Sequence, residues 1–280
     1  MSVVVAHVVP PSREPAAIRS LTPWRWESYF GPKQNPPLTR PSHRFRASGL
    51  ALSRAQGCLL GQLVGESTLP PGHLTADSEL TILLARQLLK DGPRASDLAL
   101  VERNWQASGN DSQPSAPIFR CCPLGLAFSP EEFHGQTINS KEGLDGECVL
   151  ALVTAISLAM EEIGPLEALH RITETASSPM RALLEDSEIP ESPLLRAFQN
   201  AFIHLRRGTA LQEAIERSRQ DQAGPSIVGS LLGAFQGFDT IPRHWRMAAL
   251  TCRPRSRPVS HWSVDALRLA EHLLSLRKKS

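Results

Sequence analysis

The sequence lacks the marks of several large classes of protein. No apolar run approaches the roughly 20 residues that a membrane-spanning helix requires. The first residues carry neither the basic segment nor the long apolar stretch of a secretory signal. The net charge is only +2 over 280 residues, so charge gives no argument for binding to nucleic acid or to a membrane surface. These absences predict a cytoplasmic protein without a nucleic-acid or membrane partner.

Cysteines are few, and their spacing fits no metal or disulfide framework. There are five, an odd number, and none forms a C-x-x-C pair. Cys121 and Cys122 are adjacent and lie among apolar residues. A structural zinc site would need a better-spaced set of ligands. We therefore expect buried, reduced thiols.

Aromatic residues make up only 5% of the chain, but 41% of its residues are hydrophobic, and a chain of this length can bury a substantial core. From Leu50 onward the apolar residues recur at steps of three and four, as in Leu52, Ala55, Leu59 and Leu63. No alternating run longer than a few residues argues for a strand. The sequence predicts an all-α fold whose later helices cover about 77–89, 96–107, 148–163, 166–176, 193–206, 210–219, 227–235 and 264–276.

The first 46 residues differ from the rest of the chain. They hold eight of the 23 prolines, and basic residues outnumber acidic ones there. Such sequence tends to be extended and to lack its own core. Trp24 and Trp26 are unusual in a segment of this kind, and they would dock onto the globular body or onto a partner protein. We predict an N-terminal arm over 1–46, a helical domain over 47–276 and a basic tail over 277–280.

Two further patterns bear on where a ligand would bind. Gly57, Gly61 and Gly65 recur at four-residue steps, which leaves one face of the first helix narrow enough for close approach of another helix or a ligand. The polar stretches 108–117 and 131–147 are long for a compact helical domain. Such loops line binding sites in some proteins and are plain surface crossovers in others.

The start of the second helix carries the densest group of hard oxygen donors. Thr75, Asp77, Ser78 and Glu79 occur within five residues, just before an apolar helical run. Hydroxyls and carboxylates gathered at a helix start are typical of a site for a hard metal ion or phosphate. The same residues also serve as ordinary helix caps. Ala76 stands where a second carboxylate would be expected and has no oxygen to offer.

Five segments, in order along the chain, resemble the ADP-ribosylglycohydrolase family of the dinitrogenase-reductase-activating type. They include a glycine-rich opening helix, a helix start similar to a Thr-Asp-Asp-Ser/Thr metal motif, and an Arg-Cys-Cys-Pro-Leu-Gly stretch similar to a Met-Arg-x-x-Pro-Leu-Gly loop. A C-terminal helix with the turn beyond it and a closing Trp-Ser-Val-Asp-Ala-Leu complete the set. The segments are 54–67, 75–79, 120–125, 227–245 and 262–267.

The resemblance implies a single-domain, orthogonal multi-helix bundle that holds two Mg²⁺ ions over a cleft. In that family the metals hold the ribose and activate the water that cleaves the glycosidic bond to ADP-ribose. The resemblance assigns Thr75, Asp77 and Ser78 to the first half of the metal site. In the second half, the family has Gly-Gly-Asp-Thr-Asp-Thr where this chain has residues 219–226, with Asp221 the one acidic residue left. Mg²⁺ is therefore the implied cofactor, but the reduced set of carboxylates argues against it.

The resemblance also assigns substrate and catalytic residues. Glu66 stands where the family often has Asp, beside a loop that is shorter in this chain, and it is the one carboxylate left nearby. It is the candidate catalytic base. Ser115, Arg120 and Gly125 are candidate substrate-binding residues. Arg120 would pair with a phosphate of the substrate or with a core carboxylate that fixes its own loop.

Two functional hypotheses follow, besides a gene product with no selected activity. In the first, a degenerate family member with weakened or lost hydrolysis acts by binding ADP-ribose, a related nucleotide, or a protein partner through the N-terminal arm. In the second, a divergent hydrolase remains active with one Mg²⁺ held by Thr75, Asp77 and, as a further ligand, Asp221.

Overall fold

The computed structural model describes residues 48–67, 74–92, 98–107, 109, 113–134, 143–187, 189–254 and 257–277. These residues all belong to one compact unit that spans Pro41–Ser280. The predicted N-terminal arm, with Trp24 and Trp26, lies outside the described residues.

Helices account for nearly all of the regular structure, and within the ranges just given there is no strand. The prediction of an all-α fold is confirmed. The α-helices are α1 (Gly49–Glu66), α2 (Ala76–Asp91), α3 (Leu98–Ala107), α4 (Cys122–Ala127), α5 (Pro130–His134), α6 (Leu144–Met160), α7 (Pro165–Thr175), α8 (Ser178–Leu184), α9 (Pro193–Arg207), α10 (Leu211–Gln220), α11 (Pro225–Gln236), α12 (Arg243–Leu250) and α13 (Ala266–Leu276).

Helix boundaries follow local capping chemistry. The side chains of Ser48 and Thr75 accept hydrogen bonds from the first turns of α1 and α2, as N-cap hydroxyls do. Pro193 and Pro225 open α9 and α11, where the missing N–H has no intrahelical partner to lose. Gly208, in the left-handed conformation, ends α9.

The stretch that resembles a Met-Arg-x-x-Pro-Leu-Gly loop is mostly helical. Residues 122–127 form α4, with Pro123 in its first turn. Gly125 lies inside this helix and allows close packing, since a Cβ there would be 2.7 Å from Cβ of Ile156 on α6. The expectation of a loop was wrong, because Pro123 opens a helix here and Gly125 allows a close helix contact.

The glycines of α1 meet those of α11 at a very close crossing. A Cβ built on Gly61 would lie 2.1 Å from the carbonyl oxygen of Gly229, and one on Gly229 would lie 2.1 Å from that of Gly61. Gly57 contacts Gly233, and Gly65 contacts Pro225. Of the two partners left open by the sequence, the narrow face of α1 takes another helix. The register of these contacts makes the two helices antiparallel, so the C-terminal end of α1 lies beside the N-terminal end of α11.

The core gives two further results. All five cysteines are free and buried, as predicted. Arg277, which we placed in the basic tail, is buried and donates hydrogen bonds to the carbonyl oxygens of Gly125 and Phe128 and to Ser157. It therefore belongs to the helical body. None of the helices described is long and apolar enough to cross a membrane.

Candidate functional site

A cavity of about 620 Å³ opens where the end of α1 meets the starts of α9 and α11. The loop before residue 117 and the last turn of α10 complete its wall. Much of the lining is apolar or glycine backbone. The polar side chains that line it belong to Glu66, Ser115, Ser192, Arg219, Gln222 and Ser226.

Glu66 is the last residue of α1 and the one carboxylate among the lining residues. Its Oε2 accepts a hydrogen bond from the Thr75 hydroxyl at 3.1 Å. Burial, and to a lesser degree the charge of Asp77, raises the pKa of Glu66, while the hydroxyls of Ser226 and Thr75 partly offset that rise. The structure thus brings this candidate base into the cavity and beside one predicted metal ligand.

Thr75 and Ser78 are engaged with each other at the start of α2. Thr75 is the N-cap, and its hydroxyl accepts from the backbone N–H of Ser78 at 3.1 Å. The two hydroxyl oxygens lie 3.2 Å apart. The sequence allowed either a helix cap or a metal site here, and the structure has the cap. The hydroxyl oxygens of both residues are hydrogen-bonded without a metal ion.

Asp77 is buried, with 5% of its surface exposed, and its carboxylate is occupied by protein groups. One oxygen lies 3.3 Å from Nη1 of Arg120, and the other accepts from the backbone N–H of Ser115 at 3.2 Å. Arg120 also contacts the carboxylate of Glu102 and the carbonyl oxygen of Ser115. Of the two partners foreseen for Arg120, a buried carboxylate is the one in the structure.

Two of the predicted site residues lie elsewhere. Asp221 is the exposed C-cap residue of α10 and does not line the cavity, although its neighbour Gln222 does. Gly125 packs against α6 rather than at the cavity wall. The structure therefore brings together Glu66, Thr75 and Ser78, and separately Asp77, Ser115 and Arg120, without Asp221.

Arg219 is a site residue that sequence reasoning missed. Its Nη2 donates to the carbonyl oxygens of Val64 at 2.6 Å and Ser67 at 3.0 Å, at the C-terminal end of α1. Its guanidinium also lies over the ring of Trp245, 5.0 Å from the centroid. Burial lowers the pKa of Arg219. The sequence alone does not distinguish Arg219 from Arg217, which lies in the same helix turn. Arg217 is exposed and pairs with Glu213.

Ser226, in the first turn of α11, was also missed. Only 1% of its surface is exposed, and its hydroxyl has no partner that meets hydrogen-bond geometry, although it lies near enough to Glu66 to lower that pKa. Nε of Arg219 is likewise buried without a partner. Buried polar atoms are normally satisfied. Five buried side-chain atoms of the described residues lack a partner, and those of Ser226 and Arg219 are the two that belong to cavity-lining residues.

The comparisons with known proteins agree with this architecture. The sequence profile of the ADP-ribosylglycohydrolase family matches residues 47–279. Because that match spans most of the chain, this protein belongs to the ADP-ribosylglycohydrolase family. A solved structure described as an ADP-ribosylglycohydrolase-related protein complex superimposes with a TM-score of 0.61, covering 81% of this chain and 99% of that one. At 19% identity the likeness concerns the fold alone. No curated protein matches the chain significantly.

The donor set can be compared with what two Mg²⁺ ions would need. Mg²⁺ prefers octahedral coordination by oxygen atoms, and carboxylates supply the charge. The Asp77 carboxylate pairs with a guanidinium, and Ala76 has no side-chain oxygen. Asp221 is not among the residues that line the cavity. In the part of the chain that the structure describes, no group of three or more His, Cys, Asp or Glu residues could hold a metal ion. The described residues do not fit a two-magnesium centre.

Proposed function

We propose that this protein uses the cleft of the ADP-ribosylglycohydrolase family as a binding site for ADP-ribose or a related nucleotide, with hydrolysis of ADP-ribosyl bonds weakened or lost. The observation that carries the proposal is the buried ion pair of Asp77 with Arg120. Two of the roughly four lone pairs of this carboxylate accept from a guanidinium and a backbone N–H, so a dication would have to compete with both donors. Arg120 would also repel a cation placed at the same carboxylate.

The cavity itself supports a binding role. Its volume, about 620 Å³, lies within the range of small-molecule sites, and its lining combines apolar surface with a few polar groups. Arg219, Ser192 and Ser226 supply donors, and Phe119 supplies an aromatic surface. Such a lining suits a ligand with both a ring system and charged oxygens.

One observation favours the alternative of a divergent but active hydrolase. Glu66 lies in the cavity with a raised pKa, hydrogen-bonded to Thr75. A carboxyl group whose pKa is moved toward neutrality is suited to general acid–base catalysis. Under this alternative Glu66 would activate water, and Asp77 would be needed for turnover.

Calorimetric titration of ADP-ribose into the full-length protein, first with Mg²⁺ and then with EDTA, tests the proposal. We expect binding whose affinity is the same in both conditions. Binding that requires Mg²⁺ would contradict the proposal and favour the hydrolase. Absence of binding in both conditions would refute both ADP-ribose hypotheses and leave interaction with a protein partner, for which the arm over 1–46 is the candidate segment.

Release of ADP-ribose from an ADP-ribosylated peptide separates the two hypotheses directly. We expect release near the uncatalysed rate for the natural protein and no change in Asp77→Asn. Asp239→Asn is the matched control, because Asp239 is an exposed carboxylate that also faces an arginine. Release that is well above background and is abolished only by Asp77→Asn would establish the hydrolase instead.

A further inference from the structure

We propose that the cavity binds an oxyanion of the phosphate type between Arg219 and the starts of α9 and α11. The inference rests on the cavity being the ligand site proposed above, but it does not require that ligand to be ADP-ribose. It reverses the charge expected at this place, because the family resemblance predicted divalent cations beside α11.

Two helix N-termini face the cavity without caps. Residues Ser192–Leu194 open α9 and residues Gly224–Ser226 open α11, and all of them line the wall. Neither helix has a side-chain cap or an acidic residue in its first turn. Pro193 and Pro225 have no N–H, and the N–H of Ile227 already donates to the carbonyl oxygen of Gly224. The N–H groups of Leu194 and Ser226 and the positive end of each macrodipole remain available at the two helix starts.

The unsatisfied side chains lie at the same wall. Ser226 is almost fully buried, and its hydroxyl has no hydrogen-bond partner of good geometry. Nε of Arg219 is also buried and unpaired, while its Nη2 is held at the end of α1. Leaving a buried polar group without a partner is unfavourable. Both residues line the cavity, so an anion bound at this wall would be placed to accept from each of them.

The opposing charge in the cavity is that of Glu66. It lies at the end of α1, where the hydroxyl of Thr75 donates to its carboxylate. Ser226 lies near this carboxylate, so the oxyanion would extend from Ser226 toward Arg219 and the start of α9, away from Glu66. The donors come from three separate segments, α9, α10 and α11. A tetrahedral phosphate presents oxygens in several directions, whereas the two oxygens of a carboxylate lie in one plane, so phosphate is the better match to donors on several sides.

The test is titration of inorganic phosphate into the full-length protein at constant ionic strength, followed by calorimetry and by the shift in melting temperature. Ser226→Ala should weaken phosphate binding by about tenfold, since a hydrogen bond to a charged group is lost. It should not lower stability, because it removes an unsatisfied hydroxyl. Arg219→Gln should weaken binding by about tenfold or more.

Two variants serve as matched controls. Ser230→Ala removes another buried hydroxyl of α11, but that hydroxyl donates within the helix to the carbonyl of Ile227. Arg217→Gln removes a charge two residues from Arg219 in α10, where the side chain is exposed. Both should bind phosphate as the natural protein does.

The outcomes separate this inference from the proposed function. Phosphate binding that weakens in Ser226→Ala and Arg219→Gln but not in the controls supports the inference, even if ADP-ribose does not bind. Binding of ADP-ribose without binding of phosphate overturns the inference and leaves the proposed function standing. Acetate binding as tightly as phosphate, or equal phosphate binding in all variants, also overturns it. Failure of both ligands refutes the inference and the proposed function together.

Discussion

At the scale of single residues, the ion pair between Asp77 and Arg120 is the main argument against a metal ion at the candidate site. Both side chains are almost fully buried, with exposures of 6% and 3%. Asp77→Asn would leave Arg120 with less compensation in a buried position. We expect unfolding free energy to fall by about 2 kcal/mol, since an uncompensated buried charge is strongly unfavourable.

Urea denaturation of Asp77→Asn beside Asp239→Asn measures this effect. Asp239 is 90% exposed, and loss of its charge should change stability by less than about 0.5 kcal/mol. Equal, small losses in the two variants would show that the Asp77 carboxylate is not held by Arg120, and it would again be available as a metal ligand.

Glu66 gives a prediction about pH. Its pKa is raised in the folded protein, chiefly by burial, so the folded state binds the proton more tightly than the unfolded state does. The stability from this group is fully present below its ordinary pKa and is lost as pH rises through the raised value. Glu66→Gln should therefore increase the melting temperature at pH 8 and change it little near pH 4. A gain in stability that is equal at both pH values would contradict the assignment.

The residues of the candidate site could be predicted from the sequence only in part. The cluster Thr75–Ser78 was visible because hydroxyls and carboxylates stood together before an apolar run. Local pattern could not say that the carboxylate of Asp77 meets Arg120, because that contact joins residues 43 positions apart. Arg219 carried no signal at all, since its contact with α1 spans 155 residues.

At the scale of elements, the crossing of α1 and α11 positions the cavity. Gly61→Ala would place a methyl group against the backbone of Gly229, where no side-chain motion can relieve it. We expect a loss of about 2–3 kcal/mol, typical of overpacking, although alanine is the better helix former. Gly49→Ala is the control, because a Cβ there meets nothing within 4 Å. Denaturant unfolding of the two variants tests this, and equal stabilities would mean that the helices do not cross so closely.

Long helices were predictable and short ones were not. Helices α2, α9 and α10 agree with the predicted ranges to within two residues, because each carries a sustained apolar stripe. Four short helices, α4, α5, α8 and α12, were missed, since a helix of five to eight residues shows too few repeats of the period. Helix α6 begins at Leu144 rather than at the predicted Cys148. Acidic residues in its first turn made this stretch resemble a polar loop.

At the scale of the whole molecule, the described core lies between residues 48 and 277, and the family match begins at residue 47. We expect a chain of residues 47–280 to fold with unchanged helical circular dichroism and a cooperative thermal transition. Loss of cooperativity in the shortened chain would show that the first 46 residues are needed for the fold. In the full chain, Ala substitution of Trp24 and Trp26 would lower the melting temperature only if those rings dock onto the body.

The antiparallel crossing of α1 and α11 has a directional consequence. One part of the cavity wall holds the carbonyl end and the carboxylate of α1, and the adjoining part holds the starts of α9 and α11. A molecule in the cavity therefore lies in an electric field that points from the starts of α9 and α11 toward Glu66. An asymmetric ligand would therefore have one preferred orientation, with its acidic group toward α11 and its hydroxyl or cationic group toward Glu66. Turning such a ligand end for end would be opposed by the backbone itself, before any side chain contributes to selectivity.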